Sequence, residues 1–175
     1  MKKINPRIYL TVWTYLGWFG CVYLGKMNWG LASFIFPMVS WILLRLSFNL
    51  NRLMMLRLLV LFLIGLSFDS GAVFFNLVQI NPPATIGWLP SWMISLWLLF
   101  IASLPLLQSL FQKKYFLAAL FGAIFGPLSY RAGTQFESLN MNGTQALLIY
   151  ALFWAIYTPL AMGLIGRKDI TNENT

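Results

Sequence analysis

Four carboxylates, Asp69, Glu137, Asp169 and Glu173, make up the whole acidic inventory of this 175-residue chain, which has no His and one Cys, Cys21. The absence of His removes the usual proton shuttle, the commonest metal ligand and every Ser-His-Asp or Cys-His arrangement. One Cys allows no internal disulfide and no cysteine metal cluster. Asp169 and Glu173 lie in a short polar tail. Paired-carboxylate chemistry is left with Asp69 and Glu137, so no metal and no cofactor are expected.

Asp69 interrupts an apolar run that predicts a helix over 58–80. There it is the twelfth residue, about 17 Å in at 1.5 Å per residue, near the bilayer centre if the helix spans a membrane. An ionised carboxyl at that depth costs at least ~2.5–3.5 kcal/mol, so it is protonated or paired. Gly65, Ala72 and Asn76 share its helical face at i−4, i+3 and i+7, with Gln79 beyond. Two readings stand: a proton or ligand site, or a neutral carboxyl bonded to a neighbouring helix.

A second predicted helix, 115–134, carries Gly122 and Gly126 as a G-x-x-x-G, with Ala119, Ser129 and Gly133 on the same side. That spacing allows close helix contact. Pro127 removes a backbone donor and frees the carbonyl of Ala123. Arg131, about 24 Å along this helix, reaches the opposite boundary. Its candidate partners are Glu137, Asp69 or an anionic ligand, and the plain alternative is a side chain extended to the headgroups. Asp69, Asn76, Arg131 and Tyr130 are thus the candidate polar binding site. Trp88 and Trp92 are the candidate outer lid, or an aromatic belt, and Gly122, Gly126 and Pro127 are packing residues. Cys21, between Gly17 and Gly25, is a small packing residue.

The elements that must position these groups follow from composition. The chain is 59% hydrophobic and only 9% charged, with mean hydropathy +0.74. A soluble domain carries about 25% charged residues, so a soluble globular protein is excluded. The 17% aromatic share suits two membrane interfaces. Six helices are predicted, about 8–25, 29–45, 58–80, 92–112, 115–134 and 145–166, giving one all-α transmembrane domain over 1–175. The first two are short enough to form one re-entrant pair instead. The N-terminal run resembles a signal peptide but is too long for one and lacks a cleavage site, so it is expected to be retained. With the N-terminus inside, Lys2, Lys3, Arg7, Arg45, Arg52, Arg57, Lys113, Lys114, Arg167 and Lys168 lie on the cytoplasmic side. Only Lys26 and Arg131 lie outside. That bias fixes both termini, and the polar tail 167–175, in the cytoplasm. The net charge of +8 is therefore topological, and nucleic acid is not an expected partner. The helices at 58–80 and 115–134 run the same way and both carry a polar interruption, but no shared pattern is legible, so an inverted-repeat transporter is not supported.

Leu89-Pro-Ser-Trp-Met-Ile-Ser-Leu-Trp-Leu-Leu-Phe100, Leu120-Phe-Gly-Ala-Ile-Phe-Gly-Pro-Leu-Ser-Tyr-Arg-Ala-Gly133 and Gly65-Leu-Ser-Phe-Asp-Ser70 resemble segments of a small bacterial inner-membrane family of unknown function. The resemblance covers nearly the whole chain. It implies that Asp69, Trp92, Trp97, Pro127 and Tyr130 belong to a common design, and it hints at lipid metabolism. Phe136-Glu137 departs from the family's expected Leu-Gly pair. The tryptophan-rich sensory proteins have five spans and do not align over 81–97. Substrate-binding subunits of energy-coupling-factor transporters share size and span number without a common motif.

The expectation is a multi-pass protein of the bacterial inner membrane that binds a lipid or small amphiphile as an accessory to lipid metabolism. Membrane lipid and a protein within the membrane are its expected partners. An enzyme using Asp69 as general acid or base is one alternative, disfavoured by the lack of a visible nucleophile–base pair. A small transporter subunit is the other.

Overall fold

The computed structural model describes residues 6–81, 89–111 and 113–165. Helix α1 (Pro6–Lys26) leads through a turn and a short 3-10 segment (Gly30–Phe34) into α2 (Ile35–Ser47). Then follow α3 (Arg52–Phe74), strand β1 (Val78–Ile80), α4 (Ser91–Phe111), α5 (Tyr115–Gln135), strand β2 (Leu139–Met141) and α6 (Gly143–Leu164). Five stretches are long and apolar enough to cross a membrane: Gly30–Ser47, Arg52–Phe74, Ser91–Phe111, Tyr115–Gln135 and Gly143–Leu164. Helix α1 is as long, but its Tyr, Trp, Thr and Gly residues lower its apolarity, and it is not among the five.

The expected helix 58–80 is shifted. Asn51 caps α3, its side chain accepting the Met54 N–H at 2.7 Å, so the helix starts at Arg52. An Asn at this position satisfies an otherwise unpaired N–H of the first turn. The helix ends at Phe74 because Asn76 takes a left-handed conformation, φ 57°, and the Leu77 N–H turns back to the Ala72 carbonyl. That is a common way for a helix to stop. Asp69 therefore lies five residues from the end of α3, about 8 Å below it, and not midway along the helix.

The two strands form a short antiparallel ribbon pairing Val78 with Met141, Gln79 with Asn140 and Ile80 with Leu139. Neither strand was expected. The ribbon also reveals an internal repeat that the sequence hides. The Phe75, Asn76 and Leu77 N–H groups bond the carbonyls of Gly71, Val73 and Ala72, and 61 residues on, Phe136, Glu137 and Ser138 bond those of Ala132, Thr134 and Gly133. Glu137 repeats the left-handed turn of Asn76 at φ 58°. The bonds across the ribbon are reciprocal: Asn81 N–H to Ser138 and Asn142 N–H to Leu77, both at 2.9 Å. Their amide side chains repeat the exchange, Asn81 to the Glu137 carbonyl and Asn142 to that of Asn76. The α3–β1–α4 and α5–β2–α6 units are thus related by an approximate twofold axis through the Gln79–Asn140 pair. This is a parallel repeat, with both ribbon strands at one end of the bundle.

The register is testable. Cysteines placed at Gln79 and Asn140 should form a disulfide on mild oxidation, since directly opposed strand residues fall within disulfide reach. Thiol counting by mass spectrometry reads the result. A Gln79→Cys, Met141→Cys pair, on opposite faces of the ribbon, should not close.

The packing follows rules for helices in lipid, where small residues and hydrogen bonds replace the hydrophobic drive. Helices α5 and α6 meet at Gly122 and Gly126, where an added Cβ would overlap the Trp154 backbone oxygen and ring. Helix α1 runs antiparallel along α4, with Gly17 against Leu99 and Gly25 against Trp92. Buried Cys21 contacts the Ser33 carbonyl at 3.8 Å, and Ser33 donates to Ser95 at 2.7 Å. The outer surface is strongly apolar, with Leu31, Phe75, Leu110 and Phe116 all well exposed, while Asp69 and seven serines are buried.

Candidate functional site

Asp69 is the best-connected polar side chain of the interior. Its Oδ2 accepts the Trp97 Nε1–H at 2.7 Å. The Tyr130 hydroxyl lies 2.9 Å from Oδ1 and 2.8 Å from Oδ2, and the Tyr150 hydroxyl 3.0 Å from Oδ1. The four groups come from α3, α4, α5 and α6, so one carboxyl ties together every helix of the repeat. Trp97 can only donate, while the phenols can donate or accept. The repeat places this cluster on its own axis. Asp69 and Tyr130 are equivalent positions 61 residues apart, and Gly65, which receives the Trp97 ring, matches Gly126, which receives Trp154. The Trp97 and Trp154 rings stack with centroids 5.4 Å apart and planes 1° from parallel. Helix α3 otherwise touches the bundle sparingly, and a further buried polar tie is the Tyr157 hydroxyl donating to the Leu61 carbonyl at 2.9 Å.

Of the expected polar floor, Asp69 and Tyr130 meet. Asn76 does not, because the helix ends before it. It is exposed in the ribbon turn and takes Gln79 and Asn142 as partners. Arg131 does not either: it is exposed, next along α5 from Tyr130, and Glu137 pairs instead with Lys26 at 3.0 Å. The expected outer lid is also corrected. Trp92 is 1% exposed, held inside the bundle against Gly25, because it starts a helix packed on α1. Trp88 lies outside the described residues, as does the tail 167–175. Gly122 and Gly126 take their expected packing place, and Pro127 lies within α5.

Tyr150 is the member of the cluster that was not expected from the sequence. Its signal was present: Tyr150, Trp154, Tyr157 and Ala161 recur at helical spacing on the buried face of α6, an aromatic stripe rich in hydrogen-bond donors.

Beside the cluster lies a cavity of about 690 Å³ between α1 and α5, floored by α4 and α6. It exists because the glycine contacts hold α1 to α4 and α5 to α6, while α4 and α5 barely meet. Trp18 and Phe19 close it toward the ribbon by edge contacts with Phe136 at 6.4 and 6.3 Å. Tyr15, Phe125 and Leu128 line it yet are exposed, so its rim opens sideways onto the apolar surface. The hydroxyls of Thr14, Ser103 and Ser129 on its wall each bond a carbonyl of their own helix. Trp92, Trp154 and Thr158 are among the residues that line it, and each holds a buried group without a partner: Trp92 Nε1, Trp154 Nε1 and Thr158 Oγ1. Among the described residues no Lys or Arg lines the cavity, and Asp69 is its one carboxyl.

A family model described as "Protein of unknown function (DUF2878)" matches residues 7–160, so the chain belongs to that family. No curated protein and no solved structure matches it.

Proposed function

Taking membership of that family as the premise, we propose that this is a bacterial inner-membrane protein that binds one lipid in the cleft between α1 and α5, as an accessory to lipid metabolism. The observation that carries this reading is the cavity itself. At about 690 Å³ it falls within the usual range for a small-molecule site, its wall is apolar, and its rim meets the apolar surface where lipid lies. In the proposed topology α1 is a sixth span, since it runs beside α4 along its length, and both termini are cytoplasmic. The charges support that orientation. Arg45, Arg52, Lys113 and Lys114 lie at the end away from the ribbon, against Lys26 and Arg131 at the ribbon end, where Glu137 offsets Lys26. Cytoplasmic ends carry the excess of basic residues.

Catalysis by Asp69 is the weaker reading, because both carboxylate oxygens are already engaged by the protein's own donors. A transporter subunit working with a membrane partner draws on one observation, the parallel repeat about an axis along the helices, a plan that some transporters share.

Filling the cleft tests the proposal. Ala132 lines it on α5, and Ala132→Phe should leave the protein folded while removing the lipid that co-purifies from membranes in mild detergent, quantified by mass spectrometry of the extract. Equal lipid per protein in wild type and variant would refute the cleft as the binding site.

A further inference from the structure

We infer that the cleft selects an uncharged lipid bearing a carbonyl oxygen, which accepts the Trp154 Nε1–H beside the Thr158 hydroxyl. The inference rests on the lipid-binding reading and deepens it.

The first ground is the three unpartnered groups. A buried donor without an acceptor costs on the order of 1–3 kcal/mol, and such groups are rare in folded proteins. Here Trp154 Nε1, Thr158 Oγ1 and Trp92 Nε1 are all buried without a partner, and all three side chains line one cavity. The neighbouring hydroxyls on the same wall are satisfied within their own helices. Two of the three are indole N–H groups, which donate and never accept. The matching ligand group is an acceptor.

The second ground is charge. No cation faces the cavity among the described residues, and Asp69 lies in its wall. A phosphate would meet a carboxyl and find no Lys or Arg to balance it, in a medium where unpaired charge is costly.

The third ground is depth. Trp154 is eleven residues into α6 and Thr158 fifteen, about 17 and 23 Å from the ribbon end at 1.5 Å per residue. With a hydrocarbon core about 30 Å thick, Trp154, eleven residues from one end of α6 and ten from the other, lies near mid-depth, away from either interface at which a charged headgroup is anchored, and Thr158 lies one turn further on. An uncharged lipid is free to bring an oxygen to that depth. An acylglycerol ester and a prenylquinone ring both supply this carbonyl.

The test uses the full-length protein in nanodiscs, with binding read by native mass spectrometry for four probes: dioleoylglycerol, a long-chain ubiquinone, octadecane and phosphatidylglycerol. At least one of the first two should bind about tenfold tighter than octadecane, and whichever does identifies the source of the carbonyl. Thr158→Val keeps the side-chain shape, and Trp154→Phe keeps the aromatic stack while removing the N–H. Together they should abolish the tenfold preference over octadecane, and Thr158→Val alone should reduce it. Phosphatidylglycerol displacing both neutral lipids, or oxygen-bearing probes binding no better than octadecane, would overturn the inference while leaving the cleft as a lipid site. Failure of octadecane and all other probes to bind would overturn the lipid-binding reading as well.

Discussion

Asp69→Leu should detach α3 from the rest of the bundle. Leucine offers no acceptor, so the Trp97 N–H and the Tyr130 and Tyr150 hydroxyls, all now bonded to Asp69, lose their partner together. Hydrogen bonds between helices in lipid average about 0.6 kcal/mol and reach about 1.7, and bonds to an ionised or buried acceptor lie at the upper end. Three of them put the loss at about 3 kcal/mol. The effect should be large because α3 has few other ties to its neighbours. Asp69→Asn should cost much less, about 1 kcal/mol. Its amide oxygen can still accept from Trp97, and its NH2 can donate to the phenol oxygens, which accept as well as donate. Thermal unfolding in detergent, followed by size-exclusion chromatography, measures both variants. Equal losses for Leu and Asn would show that the cluster's hydrogen bonds do not hold the helix.

Gly122→Ala is expected to be the second most damaging small change. The new methyl would overlap the Trp154 carbonyl oxygen and the Thr158 hydroxyl. A backbone atom cannot rotate away, so α5 and α6 must move apart along the most extensive interface in the bundle. Overpacking of this kind costs about 1–3 kcal/mol. Gly71→Ala is the internal control. A Cβ there meets nothing within 4 Å, and its counterpart in the second unit is Ala132. Alanine at that position should stabilise the helix by up to about 1 kcal/mol. Opposite signs for the two Gly→Ala changes in one thermal scan are the expected outcome. Equal tolerance would mean that α5 and α6 do not approach as described.

Helix count and the membrane-like exterior were legible because both depend on composition and length, which lipid constrains tightly. Asp69 was legible as an outlier, and a resemblance rather than spacing grouped it with Trp97 and Tyr130, but the hydrogen bonds that join them were not legible. The helix ends were less legible. Asn51 and Asn76 set the limits of α3 through local backbone bonds, and an apolar run gives no sign of where such bonds close. Moving the helix by six residues moved Asp69 from the middle of the helix toward its end and took Asn76 off its face. The repeat was hidden for a different reason. Over 58–81 and 119–142, the identities beyond Leu59 and Leu120 are Gly65, Phe75 and Asn81 with Gly126, Phe136 and Asn142. What the two units share is backbone geometry, a left-handed turn and a ribbon register, which many side chains allow. The cleft was invisible because it depends on which helices fail to touch, and no pattern within one helix encodes that.

The most direct test of lipid binding is a structure of the protein determined in lipid nanodiscs. Chain-shaped density filling the space between α1 and α5, beside Trp154 and Thr158 and above an intact Asp69 cluster, is the predicted result. A cleft closed by direct contact of α1 with α5, with no lipid between them, would contradict it.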